Sequence, residues 1–279
     1  MVLVAILIGT LIAGIGSVWL AAALSFGLLA KYTQHMLSLA AGALLATAFM
    51  HLLPEAFESQ ASAHDLFAAL LAGLVFFFLL DKAELWHHGH EHGAGHGSGH
   101  SHDQSRDHSH GHEKDHSHSH AKDHGHSNSV KSGGWAVLAG DSVHCFGDGV
   151  LIASAFMADI KLGIVASLAV LAHEVPHHMG DLVVLRQSSN NNQRAAVVKV
   201  SMAGAVTALG GLLGYVLVEQ LYDFLPFFLI LASSSFVYVA LADLIPQLQK
   251  RASPTETAAQ IAWLLAGIGL VTLISGLAH

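Results

Sequence analysis

Residues 162–186 read LGIVASLAVLAHEVPHHMGDLVVLR. The stretch is apolar enough to cross a bilayer as a helix, which takes about 20 residues. Its second half nevertheless carries His173, Glu174, His177, His178 and Asp181. An ionisable side chain in hydrocarbon costs roughly 3 kcal/mol on insertion scales. The preceding apolar segment, 134–157, repeats the pattern with His144-Cys145-Phe146-Gly147-Asp148-Gly149. Two consecutive segments with several such groups each are explained together by a cation that both face.

The rest of the chain supports a membrane protein. It has 279 residues, 53% hydrophobic and only 11% Asp, Glu, Lys and Arg, against about 25% charged residues in a soluble domain. Apolar blocks at 2–24, 36–54, 64–85, 134–157, 162–186, 195–218, 224–246 and 258–278 predict eight transmembrane helices. The fold class is therefore an all-α integral membrane protein, a compact bundle. No Lys or Arg precedes Lys31, so residues 1–24 lack the basic flank of a signal peptide and read as a first permanent span. Cys145 is the one cysteine, which rules out an intrachain disulfide. Small residues such as Ala203-Gly204-Ala205 and Gly210-Gly211-Leu212-Leu213-Gly214 let helix backbones approach in lipid. Gly147, Gly149 and Gly180 are expected to do so between helices four and five.

Loop charges give an orientation. Lys31, Lys82, Arg106, Lys114, Lys122, Lys131, Arg186, Arg194, Lys199, Lys250 and Arg251 fall at the loops after spans one, three, five and seven, while the opposite side holds only Lys161. The positive-inside rule then puts both termini outside the cytosol. Residues 87–133 become a cytoplasmic loop between bundle segments 1–86 and 134–279. Of 23 histidines, 15 lie between His87 and His126, among Gly, Ser and Asp. Such a tract cannot bury a core and is expected to be disordered. A solvated linker is the plain reading; clustered neutral imidazoles also make a weak chelator that buffers metal. Compact length and short loops lean toward a bacterial inner membrane.

His144 and Asp148 are four apart, so they share a helix face, about 6 Å apart along the axis. His173 and His177 repeat that spacing, as do Glu174 and His178. His144, Asp148, His173 and His177 are a candidate ligand set, and three imidazoles with one carboxylate suit zinc or a neighbouring first-row metal. Cys145 and Glu174, one position along, are candidates for an adjacent second cluster, with Asp148 or His177 bridging. A lone intramembrane histidine is more often a hydrogen-bonded core residue, but that reading fits a cluster poorly. Pro176 weakens the helix one turn back, near Ala172, as a packing kink, a hinge or a source of a free carbonyl. His51 and Glu55, again four apart and flanking Pro54, are candidates for cation access at the end of span two, or an interfacial polar cap. Asp181, and Asp243 ahead of Pro246, read equally as exit ligands or helix-end features.

These residues carry a resemblance. The chain resembles the ZIP (Zrt/Irt-like) metal transporters, and within them the LIV-1 subfamily, over essentially its whole length. His144-Cys145-Phe146-Gly147-Asp148-Gly149 is similar to the span-four motif H-N-x-x-D-G, and His173-Glu174-Val175-Pro176-His177-His178-Met179-Gly180-Asp181 to the span-five motif H-E-x-P-H-E-x-G-D. The resemblance implies import of Zn²⁺, and often Fe²⁺, Mn²⁺ or Cd²⁺, into the cytosol. It implies a metal site between helices four and five, with His144, Asp148, His173 and His177 primary and Cys145 and Glu174 adjacent. It also implies a homodimer in the lipid membrane. Neither a prosthetic group nor a nucleic-acid partner is expected. Cys145 departs from the family Asn and His178 from the subfamily Glu. Thr207 lies where some members carry an acidic ligand.

Two other readings compete. His173-Glu174-Val175-Pro176-His177 satisfies H-E-x-x-H, the zinc metalloprotease pattern whose Glu is a general base. Pro176 strains the helix that must present both histidines, and the paired motif in span four needs no protease. A cation-diffusion-facilitator exporter also pairs intramembrane His and Asp, but needs six spans and a soluble C-terminal domain.

Overall fold

A computed structural model describes residues 1–25, 33–89, 129–188, 192–249 and 253–277. The described residues form eight long helices. They are α1 (Val2–Leu24), α2 (Thr33–Phe57), α3 (Ala63–Gly89), α4 (Ser129–Ala158), α5 (Ile160–Ser188), α6 (Gln193–Gln220), α7 (Tyr222–Leu248) and α8 (Pro254–Leu277). The expected eight-helix membrane bundle is what forms. Seven of the eight are long and apolar enough to span a bilayer. The other, α4, is the helix that concentrates Asp141, His144, Cys145 and Asp148. Residues 90–128, most of the expected histidine loop, lie outside the described residues; 87–89 continue α3 and 129–133 begin α4.

Local chemistry marks where helices start. Asp159 accepts hydrogen bonds from the amides of Lys161 (2.7 Å) and Leu162 (3.2 Å) and so starts α5 immediately after α4. Ser253 and Glu256 form a reciprocal capping box at α8. The prolines are absorbed in two ways. In α2 and α7 a wider π turn, Ala48–Leu52 and Val239–Leu244, precedes Pro54 and Pro246. The extra residue in the turn makes room for the ring and the missing donor. Pro176 instead sits inside an uninterrupted α5, so the expected kink does not break the helix.

Without a hydrophobic drive between helices in lipid, packing depends on close backbone contact. That contact is most extensive between α4 and α6 and between α2 and α7. A methyl at Gly149 would strike the backbone of Thr207 and Gly211, and one at Gly210 the carbonyl of Phe146. Gly149 therefore serves the α4–α6 seam and not the α4–α5 seam expected from sequence. Gly147 and Gly180 face open space. With α6 locked behind it, α4 turns its polar face to α5, which also packs on α1 and α2. The least buried spans, α3 and α8, lie on the outside.

Candidate metal centre

Antiparallel α4 and α5 bring their polar stripes face to face. His144, Asp148, His173 and Glu174 form one group, all of whose candidate ligand atoms lie within 4.8 Å of one another. His173 Nε2 is 3.2 Å from Asp148 Oδ2 and 3.2 Å from Glu174 Oε1. His144 Nε2 is 3.2 Å from Glu174 Oε1, 3.4 Å from His173 Nε2 and 3.9 Å from Asp148 Oδ2. Ligands held about 2.0–2.1 Å from a tetrahedral zinc ion stand roughly 3.3 Å from each other. Four of these five separations, at 3.2–3.4 Å, match the edge of a zinc tetrahedron.

A second group adjoins the first. Asp141, Cys145, Glu174 and His178 are all buried and again within 4.8 Å. His178 Nε2 lies 3.0 Å from Glu174 Oε2 and 3.6 Å from Asp141 Oδ1. Cys145 Sγ lies 3.7 Å from Asp141 Oδ1, 3.8 Å from Glu174 Oε2 and 4.0 Å from His178 Nε2. Longer separations are expected around sulfur, because Zn–S is about 2.3 Å. Glu174 joins the groups, one carboxylate oxygen to each. Sequence reasoning had assigned bridging to Asp148 or His177.

The hydrogen bonds behind two histidines aim their lone pairs inward. His173 Nδ1 lies 3.3 Å from the carbonyl of Ala169, an acceptor, so Nδ1 carries a proton and Nε2 is the nitrogen turned to the carboxylates, where it coordinates a metal once the ring is neutral. His178 Nδ1 lies 3.0 Å from Ser17 Oγ in α1. That hydroxyl donates its single proton to the Gly14 carbonyl at 2.6 Å, so it accepts from His178 Nδ1–H. Both Nε2 atoms then point at acceptors. Asp148 Oδ2 and Glu174 Oε1 are buried with the imidazole nitrogens of His144 and His173 beside them, so their charge must be met there by a proton or a cation.

The remaining sequence candidates are placed as follows. His177 stands beside His144, ring centroids 5.4 Å apart, but its Nδ1 turns to Asp181 and Asp141 and not to the group of His144, Asp148 and His173. His51 meets Ser275 of α8 at 3.4 Å. Glu55 is exposed and interacts electrostatically with Glu58 and Asp159, at the end where α4 turns into α5. Asp243 is exposed and accepts a hydrogen bond from Gln247; it joins none of the groups. Thr207 is buried in α6. Sequence reasoning missed Asp141 and Ser17. Asp141 had a signal, since Asp141, Cys145 and Asp148 fall at i, i+4, i+7 on one helical stripe. Ser17 had none, because its role depends on how α1 docks.

Fold and seam together define a multi-pass helical membrane protein with His, Cys, Asp and Glu side chains grouped in its core that could hold a divalent metal. Residues 1–275 match the ZIP Zinc transporter family, and the chain belongs to it. It is 35% identical over 159 residues to Zinc transporter zipt-7.2 of Caenorhabditis elegans, covering 53% of this chain and 32% of that protein. It is 31% identical over 156 residues to Zinc transporter ZIP13 of Danio rerio, covering 52% and 42%. With Zinc transporter ZIP13 of Homo sapiens it shares 27% identity over 272 residues, covering 87% and 70%. The matched region thus spans less than half of the first two relatives. Membership in this family tells against the metalloprotease and the cation-diffusion-facilitator readings of the sequence.

Proposed function

We propose that this chain carries Zn²⁺ across its membrane into the cytosol by alternating access, using the seam between α4 and α5. His144, Asp148, His173 and Glu174 hold the ion first, and Asp141, Cys145, Glu174 and His178 hold it next. The observation that carries this reading is the close spacing of imidazole nitrogens and carboxylate oxygens, 3.2–3.9 Å apart, around His144 and His173. His51 and Glu55 mark the end from which the ion arrives. Residues 87–133 buffer it on the cytosolic side, the two segments 1–86 and 134–279 form the bundle, and both termini lie outside. Fe²⁺, Mn²⁺ and Cd²⁺ are accepted as alternative cargo. The thiol of Cys145 shifts the second group toward softer ions such as Cd²⁺. The chain works as a homodimer in a bacterial inner membrane.

The reading is tested by radioactive zinc uptake into proteoliposomes holding the full chain. Asp148→Asn removes one charged ligand from the first group and is expected to lower uptake at least about tenfold. Undiminished uptake would remove Asp148 from the path.

Two further results are expected. Ser17→Ala leaves His178 free to change tautomer and rotate, so zinc affinity falls about tenfold, the usual effect of losing an outer hydrogen-bond partner of a ligand. Equilibrium dialysis of the purified protein measures this; unchanged affinity refutes the orienting role. Acidifying the uptake side from about pH 7 to about pH 5.5 lowers uptake, because His144 and His173 must be neutral to coordinate and protons compete with zinc. Raising zinc at the acid pH restores the rate. A loss that excess zinc does not restore is not competition.

A further inference from the structure

We propose that residues 17–24 of α1, 177–186 of α5 and 193–204 of α6 swing as one body about a hinge at Gly14 and Gly204, and that the swing opens the second ligand group to release its ion. The inference rests on the transport reading above and adds the moving part that release needs. Two interruptions mark the hinge. In α1 the helix widens into a π turn at Ile12–Gly16. The π turns of α2 and α7 each precede a proline, but residues 1–25 contain none. Such turns are rare and frequently lie at functional sites. In α6 the helix is interrupted at Ala205, between Gln193–Gly204 and Val206–Gln220. There the amide of Ala208 bonds the carbonyl of Ala205, 3.1 Å away, in a tightened turn where a regular helix would bond that of Gly204.

The two interruptions meet. A methyl on Gly14 would strike the carbonyl of Gly204 and the side chain of Thr207, and one on Gly204 would lie 2.8 Å from the Gly14 carbonyl. Ser17, one residue past the π turn, bonds His178 of α5. Pro176 stands two residues before that histidine, and a proline leaves one bond of the helix ladder unmade. All three helices are thus weakened near one level.

The apolar packing divides at that level. Val18 and Ala22 of α1, Met179 and Leu182 of α5, and Ala196 and Val200 of α6 belong to a buried cluster of their own. The main core takes its α1 residues no later than Ala13 and its α5 residues no later than Ala172. The glycine contacts that lock α4 to α6 fall at residues 207–214 of α6, beyond the break. The second ligand group straddles the boundary. Asp141 and Cys145 stand on α4 and Glu174 on the fixed part of α5, while His178 stands on the moving part and is tied through Ser17 to α1. A swing therefore draws His178 away from the other three and leaves the ion fewer ligands.

Zinc uptake by proteoliposomes and spin-label distances test the hinge, both on the full chain. A methyl on Gly16, the last residue of the π turn, meets only its own helix, at 3.8 Å and 3.9 Å. Gly16→Ala therefore folds but resists bending. It should slow maximal uptake about fivefold, the equivalent of alanine's roughly 1 kcal/mol preference for regular helix. Gly269→Ala, on the exposed face of α8 with nothing near its methyl, should keep the wild-type rate. Nitroxides on Val198→Cys and Leu79→Cys should change their separation by about 3 Å when zinc is added, since Val198 lies about 10 Å from the break and the swing is a kink of about 20°. Those on Leu209→Cys and Phe67→Cys should keep theirs. All four positions are exposed, and the native Cys145 is buried. An unchanged rate in Gly16→Ala, or equal slowing in Gly269→Ala, overturns the hinge. So do equal changes for both label pairs, which describe α6 moving as a rigid whole, or no change in either. A loss of zinc affinity of about tenfold in Gly16→Ala, the effect expected of Ser17→Ala, traces its slow uptake to His178 and overturns the hinge too. None of these outcomes touches the main reading, which uptake by His173→Ala tests by itself.

Discussion

Glu174→Gln lowers zinc uptake by at least about 100-fold, a larger effect than that of Asp148→Asn. One carboxylate serves two groups: Oε1 stands 3.2 Å from the Nε2 atoms of His144 and His173, and Oε2 stands 3.0 Å from that of His178. A glutamine has only one acceptor oxygen, and its NH₂ carries protons and no lone pair for a metal. Whichever way the amide turns, one group gains a donor where it needs a ligand, and both lose the negative charge. Removing one partner from a buried charged set costs about 3–5 kcal/mol, and every 1.4 kcal/mol is about tenfold in affinity. Asp148→Asn touches one group and should fall well short of this loss. Equal effects for the two, measured as initial uptake rates, would mean that Glu174 does not bridge.

Gly149→Ala destabilises the folded protein by roughly 3 kcal/mol, the upper end of ordinary overpacking. The added methyl meets the carbonyl of Thr207, the amide of Gly211 and the backbone of Gly210. None of these is a side chain able to rotate away, so α4 and α6 must separate. Two residues earlier the expectation reverses. Gly147 has nothing within 4 Å of the same methyl, and alanine is the better helix former by about 1 kcal/mol. Gly147→Ala is therefore neutral or mildly stabilising. Thermal unfolding of both variants in detergent checks the pair, with a drop on the order of 10 °C for Gly149→Ala and none for Gly147→Ala. Matching Tm values for the two variants would contradict the packing of α4 against α6.

These contacts also mark what the sequence discloses and what it withholds. Span positions follow from hydropathy, because a bilayer imposes one length on every helix. The α4 and α5 motifs were legible because ionisable groups in apolar runs are rare, and spacings of four put them on common faces. Partner choice was not legible. Gly149 reads as a spacer in either seam, and only the three-dimensional arrangement assigns it to α6. The grouping of ligands was half legible for the same reason. Sequence spacing fixes which side chains of one helix share a face, but not the register of two antiparallel helices. That register moves His177 from the group of His144 and His173 to that of Asp141 and Asp181, and puts Glu174 in its place. Ser17 lies beyond local pattern altogether, since its hydrogen bond to His178 spans 161 residues.

Radioactive zinc uptake by proteoliposomes containing the wild-type chain or His173→Ala tests the central claim most directly. His173 is 2% exposed and its Nε2 faces both Asp148 and Glu174, so alanine opens the first group without reaching the surface. The account predicts saturable zinc uptake by the wild type and uptake no greater than that of protein-free vesicles for His173→Ala. Wild-type flux through a correctly folded His173→Ala protein would contradict it.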